Sequence, residues 1–244
     1  LRAAFGPVID RLAENGIDLT RQAIEVAPIA HYHMGGIRVD TAMRTGVPGL
    51  FAAGEAVGGA NGANRLSGNA ITEALAFGRV AGREAAAHVK LKDLPCFSQQ
   101  AARESLSLLA SGTRAPLNTA ALVAELQALM ATEAGSFRTA ESLSRAQAGI
   151  SQLRATLGHT PPGVPGTAHD LVRLDWFDLR QMLLVAETVV VAASERKESR
   201  GAHQREDAPD TDADWTLNQT LTLDSGGRLR LVREPIPGFA QEAA

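Results

Sequence analysis

The sequence predicts an α+β chain that is mostly α. Three observations carry that expectation. Apolar residues recur at helical spacing through 98–200, glycine-rich extended sequence fills 31–66, and clear period-two alternation appears only near the end, at 215–234. Alanine is abundant, and of the 244 residues 45% are hydrophobic, 21% charged and 4% aromatic, which is ordinary globular material that favours helices.

In chain order, residues 3–15 read as a helix stopped by Gly16. The chain then becomes extended over 26–40, where Ile37 and Val39 suit a short strand. TGVPG at 45–49 is a turn, and LFAAG at 50–54 reads as a short buried strand. The loop EAVGGANGANRL follows, and Ser67 is placed to cap a helix running to about His88. On that helix Ala70, Ala74, Gly78 and Gly82 recur every four residues, a row that would let another element lie very close.

From 98 onward four helices are expected. The first covers 98–111. The second starts at Asn118 or Thr119 and places Leu122, Val123, Leu126, Leu129 and Met130 on one face. The third carries Leu143, Ala146, Ile150, Leu153 and Leu157, and the fourth Val172, Trp176, Leu179, Leu183, Ala186, Val190 and Ala193. Spacings alternating between three and four are the seam of antiparallel helices packed at small angles. TPPGVPGT at 160–167 is the long connection, so 98–200 forms a helical bundle domain. Beyond it, GAHQREDAPDTDAD reads as a polar loop, and WTLNQTLTLD and GRLRLVRE as two strands joined at Gly226-Gly227.

Charge and cysteine content narrow the function. With 24 Lys and Arg against 27 Asp and Glu, the net charge is −3 and the basic residues are scattered, so no nucleic-acid surface is expected. A lone cysteine, Cys96, allows neither an internal disulfide nor a cysteine metal site and reads as a core thiol. The six histidines show no HExxH-like spacing, and no metal site is assigned. The most apolar run, LLVAETVVVAA at 183–193, is short and broken by Glu187, so no transmembrane segment is expected. The chain opens on LRAAFGPVID, which is no signal peptide, and lacks an initiator Met, which leaves a fragment open.

The informative stretch is 31–83: HYHMGGIRVD, then VPGLFAAGEAVGGANGANRLSGNAITEALAFGRVAG from 47 on. Its glycine pairs suit backbone that must approach a planar ligand closely. A chain handling a dinucleotide alone would carry G-x-G-x-x-G after a first strand, and no Gly-x-Gly occurs anywhere, so this is half of a site. Arg65 sits among glycines just before a helix, which suits a bidentate clamp on a carboxylate or phosphate; a structural ion pair is the alternative. His31, ahead of Gly35-Gly36, can donate to an anion or cap local backbone. Glu55, at the end of LFAAG, can accept ribose hydroxyls or stand free in a loop. The helix start near Ser67 offers unpaired N–H groups and the positive end of the helix dipole.

HYHMGGI, VPGLFAAGE, GANRLSGNAI and FGRVAG together resemble the flavoprotein subunits of succinate dehydrogenase and fumarate reductase, a superfamily that includes L-aspartate oxidase. ESRGAHQRED-P resembles that family's exit from its helical bundle, and the likeness spans about 25–90 and 98–216. The resemblance implies the C-terminal part of an α/β FAD-binding domain, followed by an antiparallel helical bundle domain and a short β tail. It implies these domains: 1–30 the end of a capping domain, 31–92 the C-terminal part of the FAD-binding domain, 98–200 the bundle, and 201–244 the polar loop and hairpin tail. It further implies that His31 and Arg65 bind a dicarboxylate. Glu55, Asn64, Ser67, Asn69, Ala70 and Ile71 would contact FAD, the last four and Asn64 largely through backbone around the ring edge.

The implied reaction interconverts succinate and fumarate by hydride transfer to or from the flavin, with Arg65 and His31 polarising the carboxylates. L-aspartate oxidase is the alternative enzyme. Met34 before Gly35-Gly36 leans toward the succinate and fumarate enzymes, because the oxidase more often shows Cys there. A non-catalytic helical module that docks a partner subunit is the alternative outside enzymes. Three departures stand out. Asn61 occupies a position where the family often has histidine, and Asn69-Ala70-Ile71 replaces Asn-Ser-Leu. The proton-donating arginine and the phosphate-binding glycines are expected upstream, so no catalytic residue is assigned in this chain. Alone it should bind FAD weakly at most and not turn over. Its partners would be an upstream FAD-binding segment, a dicarboxylate and an iron–sulfur subunit. The protein would be cytoplasmic, held peripherally at the inner membrane through partner subunits.

Overall fold

The computed structural model describes residues 2–26, 31–91, 98–113, 117–164 and 169–236. It divides into a small unit, Leu1–Tyr32, and a large one, His33–Ala244. In the small unit, helix α1 spans Arg2–Glu14 and kinks near Pro7, where Phe5 leaves helical geometry (φ −128°, ψ 18°). Gly16, at φ +79°, ends it as expected, and the Gly16 and Ile17 N–H groups bond back to Ala13 and Leu12 carbonyls at 2.9 Å each.

The large unit begins with irregular chain. The strands expected at 37–39 and 50–54 do not form; each segment makes one isolated bridge instead, Ile37 with Val57 in parallel and Arg44 with Phe51 antiparallel. A strand needs a ladder, and among the described residues none lies beside these segments to extend one. LFAAG is also not fully buried: Leu50 is exposed and Phe51 to Ala53 are half-buried. A one-turn 3-10 helix at Gly54–Ala56 leads into the glycine loop, and helix α2 follows at Asn69–Leu91. Gly68, at φ +88°, stands directly before α2, so Ser67 is not its capping residue. The small-residue row is approached at Ala74, where a β-carbon on Gly54 would lie 3.7 Å away; among the described residues Gly78 and Gly82 have nothing within 4 Å of a β-carbon position.

The helical region follows the sequence closely. Helices α3 (Gln99–Ala110), α4 (Thr119–Glu133), α5 (Ala140–Leu157) and α6 (Leu171–Glu195) each start on a capping side chain. Ser98, Asn118, Thr139 and Asp170 accept from the backbone three residues on, at 3.2, 3.0, 3.0 and 3.1 Å. Helices α4, α5 and α6 pack on one another around Leu126, Leu143, Ile150, Trp176, Leu179 and Val190. Gly149 lets α4 come close, because a β-carbon there would meet Leu129 at 2.6 Å. The predicted seam fails at one place: Val172 is exposed and its neighbour Arg173 is buried. The Arg173 guanidinium reaches the carbonyls of Leu109, Ser111 and Pro162, so it closes the end of α3. The 160–167 connection is described only to 164, and Cys96 lies outside the described residues.

The tail is more ordered than a polar loop. Strand β1 (Phe137–Arg138) pairs in parallel with β2 (Gln204–Arg205). Strands β3 (Leu217–Leu223) and β4 (Leu229–Pro235) form the expected hairpin across Asp224–Arg228, with Gly227 at φ +73°. Between them and the bundle a 3-10 turn at Ala213–Trp215 buries Trp215. No helix of the described residues is long and apolar enough to cross a membrane.

Candidate functional site

The glycine loop is shaped first by its own backbone. Gly36 and Gly58 face each other across the Ile37–Val57 bridge. A β-carbon on Gly36 would lie 2.5 Å from the Ala56 carbonyl, and one on Gly58 would lie 2.6 Å from the Gly36 nitrogen. That pair is therefore explained by chain against chain rather than by a ligand. Gly59, Gly62 and Gly68 differ: all have positive φ (+100°, +57° and +88°), and nothing lies within 4 Å of their β-carbon positions. The loop backbone there is turned and uncovered.

Glu55 sits exposed in the 3-10 turn, and its Oε1 accepts the His33 N–H at 2.9 Å. Asn61 donates to Glu73 Oε2 at 3.0 Å and fastens the loop to α2. Asn64 is exposed, and Arg65 is half-buried with Nη1 donating to the Leu66 carbonyl at 3.0 Å. Ser67, Asn69 and Ile71 are exposed and Ala70 is half-buried, all at the first turn of α2 or just ahead of it. The predicted contact residues of 55–71 thus share one loop and one helix start. His31 is exposed and belongs to the small unit. Among the described residues no group of three or more His, Cys, Asp and Glu is placed to hold a metal ion.

A second set of residues, spanning the expected end of the bundle and the start of the polar loop, lies at the end of α6. Glu198 is 0% exposed. It accepts from Arg196 at 2.6 Å, from Arg200 at 2.8 and 2.9 Å, and from the Asp212 N–H at 2.9 Å. Burial pushes the Glu198 carboxyl up, but these donors outweigh it and hold it below its ordinary range. Arg205, 4% exposed, donates to the Ala193 and Arg196 carbonyls at 3.0 and 3.1 Å and holds Asp207 through two bonds of 2.7 Å. Asp207 in turn accepts the Ala140 N–H at 2.9 Å, so one ion pair ties the end of α6 to the start of α5. The paired guanidinium holds Asp207 well below the usual carboxylate range. His203 lies between Arg138 Nη1 and the Arg196 carbonyl, each at 3.2 Å, and burial pushes its pKa down. The clue available in the sequence was Glu and Arg interleaved at 196–207 directly behind an apolar helix.

The two sets meet. Ala202 N–H donates to the Ala63 carbonyl at 2.9 Å. Beside that contact a cavity of about 860 Å³ opens between Gly36, Gly58 and Ala63 on one side and Arg196, His203 and Trp215 on the other.

Comparisons with known proteins place the chain in a family. A family model described as the FAD binding domain matches residues 3–71, and one described as fumarate reductase flavoprotein C-term matches 123–237. A fumarate reductase (CoM/CoB) polypeptide of Methanothermobacter marburgensis is 37% identical over 82% of this chain and 36% of its own length. An L-aspartate oxidase of Rhodospirillum rubrum is 38% identical over 86% of this chain and 67% of its own length. Among solved structures, the Mycobacterium smegmatis Sdh1 complex in the apo form superposes with a TM-score of 0.82 at 37% identity, covering 95% of this chain and 40% of that one. The chain thus spans a little over a third of the Methanothermobacter relative. The matched FAD binding domain makes FAD the cofactor of the family, and the uncovered loop at Gly59, Gly62 and Gly68, just ahead of α2, fits a flat ring laid against backbone. The chain belongs to the FAD-dependent oxidoreductase family of succinate dehydrogenase and fumarate reductase flavoproteins and L-aspartate oxidases.

Proposed function

We propose that this chain is the C-terminal part of an FAD-dependent enzyme that interconverts succinate and fumarate. The observation that carries the proposal is Arg65. It stands between an uncovered glycine loop and the first turn of α2, beside the backbone that suits a flat ring. Arg65 and His31 bind the two carboxylates of the substrate. Arg65 supplies a planar, bidentate fork, and both residues favour negative charge building on the substrate as it reacts. Glu55 accepts cofactor hydroxyls, and Asn64, Ser67, Asn69, Ala70 and Ile71 line the ring edge. The N–H groups opening α2, at the positive end of the helix dipole, favour negative charge beside them. Bound FAD supplies the two-electron redox chemistry. The proton donor lies in the upstream FAD-binding segment, which completes the site. Residues 1–30, 31–92, 98–200 and 201–244 correspond to the end of a capping domain, the end of the FAD-binding domain, the bundle and the tail. An iron–sulfur subunit receives or delivers electrons, and through it the enzyme sits at the periphery of the inner membrane.

A second assignment, L-aspartate oxidase, is supported by the Rhodospirillum rubrum relative of that name. Met34 ahead of Gly35-Gly36 supports the succinate and fumarate assignment. Flavin absorbance comes first: the chain alone and mixed with its upstream segment. Flavin bound only in the mixture fits a shared site. In the full-length protein, Arg65→Ala should lower kcat/KM for the dicarboxylate about 100-fold or more with flavin retained. Unchanged kinetics would remove Arg65 from the site. Faster turnover of aspartate than of succinate would move the assignment to the oxidase, and flavin in neither sample would leave a docking module.

A further inference from the structure

We propose that the hairpin Arg200–His203 is the positioning element of the Arg65 loop and so sets the site's affinity for its dicarboxylate. This rests on the assignment of Arg65 to carboxylate binding. Arg200 and His203 exchange both backbone hydrogen bonds, at 2.8 and 3.0 Å, which closes a two-residue turn. Gly201, at φ +57°, occupies the position that turn demands of glycine. The tip presses on the loop. The Ala202 N–H donates to the Ala63 carbonyl at 2.9 Å, and a β-carbon on Gly201 would overlap that carbonyl and lie 2.8 Å from the Ala63 β-carbon.

Ala63 is two residues from Arg65, whose guanidinium bonds the next carbonyl along the same loop, Leu66, at 3.0 Å. The guanidinium therefore follows the loop backbone. The two partners differ in stiffness. Behind the tip, Glu198 is buried and filled by four donors, His203 is held on both ring nitrogens, and Gln204 donates to the Gly201 carbonyl at 2.8 Å. A fully satisfied buried network of this kind is rigid. The loop instead turns on Gly59 and Gly62, with nothing packed at their β-carbon positions. A stiff tip set against a soft loop decides where the loop sits, and a bidentate clamp tolerates only about 0.5 Å of error.

The test uses the full-length, flavin-loaded enzyme. Gly201→Ala should raise KM for the dicarboxylate about tenfold, change kcat less than about threefold, and leave flavin per chain unchanged. Ala202→Pro deletes the N–H that reaches Ala63 and should move KM the same way; it is the measurement to rely on if Gly201→Ala fails to fold. Leu157→Ala opens the bundle core at the opposite end of α6, where Trp176 donates to the Leu157 carbonyl at 3.1 Å. It should lower Tm and leave KM alone. The proposal is overturned if the hairpin variants keep wild-type KM while Arg65→Ala raises it, or if KM in Leu157→Ala rises in step with its loss of Tm. Arg65→Ala with wild-type KM would overturn the assignment beneath it instead.

Discussion

The bundle with its tail and the segment 33–91 are built to opposite plans. The bundle satisfies itself: its helices are capped by their own side chains, the apolar seams of α4, α5 and α6 face each other, and its buried guanidiniums are bonded, Arg205 to Asp207 and Arg173 to backbone carbonyls. Among the described residues, the segment 33–91 buries only Met43, Gly54 and Val57. Its long helix α2 exposes Ile71, Leu75 and Val89, at 73%, 71% and 62%, and starts behind a glycine rather than a capping side chain. Hydrophobic burial is the main favourable term in folding, so a helix that exposes its apolar residues draws little stability from its own chain. The difference teaches where this chain buries its own apolar residues and where it leaves them exposed, and the exposed segment is where the candidate site lies.

The largest effect should separate the two plans directly. Leu179 is 0% exposed in the bundle and Leu75 is 71% exposed on α2. In the 244-residue chain, Leu179→Ala should cost about 2–5 kcal/mol. Leu75→Ala should cost no more than about 0.5 kcal/mol, as exposed substitutions do. Urea unfolding followed by tryptophan fluorescence reads the bundle, because Trp176 is buried with Leu179 in its core. Equal losses for the two variants would mean that α2 has a packed partner within this chain. Binding of the upstream segment should then make the Leu75 change costly, a reversal that a free-standing helix would not show.

Next in size is Arg205→Ala. It leaves Asp207 without its bidentate partner and removes the donor to the Ala193 and Arg196 carbonyls at the end of α6. Removing one member of a buried pair costs about 3–5 kcal/mol, and the lower end applies because the Asp207 side chain is 35% exposed. The loss should appear in the same urea curves. A loss below about 1 kcal/mol would show that the tail hangs on the bundle without bracing it.

How far the sequence could be read follows the same division. The bundle was legible because its seam lies within single helices: the spacing of Leu143, Ala146, Ile150, Leu153 and Leu157 states the buried face, and all five are buried. The caps at Ser98, Asn118, Thr139 and Asp170 act over three residues and need nothing distant. Strands at 37–39 and 50–54 were misread because a strand is decided by its neighbours, and local β propensity cannot supply a ladder. Arg173 and Arg205 were missed for a related reason. Their burial depends on carbonyls and a carboxylate brought in by tertiary packing, and a charged residue in sequence carries no mark of that. The family was legible as a combination of motifs around Arg65. The contact that holds the Arg65 loop was not, since Ala63 and Ala202 lie far apart in the chain.

The smallest effect tests the bracing network through its one histidine. Arg138 Nη1 donates to His203 Nδ1, and His203 Nε2 donates to the Arg196 carbonyl, which is the neutral ring. Burial lowers its pKa first, and the charges of Arg138, Arg196 and Arg205 lower it further, against the carbonyl of Arg196. The native state thus binds fewer protons at this site than the unfolded chain does. The stability it contributes is complete above the ordinary histidine value of about 6.5, and is lost as pH falls through that value toward the depressed one. His203→Gln keeps an acceptor and a donor without a titrating ring. Wild-type stability should fall more than that of the variant between about pH 7 and pH 5, before the carboxylates begin to protonate. Trp215 reports the change locally, because Arg196 stacks on its ring at 5.2 Å and Arg233 at 4.1 Å. Parallel pH profiles for the two proteins would mean that the ring admits a proton without disturbing Arg138, and would take the histidine out of the brace.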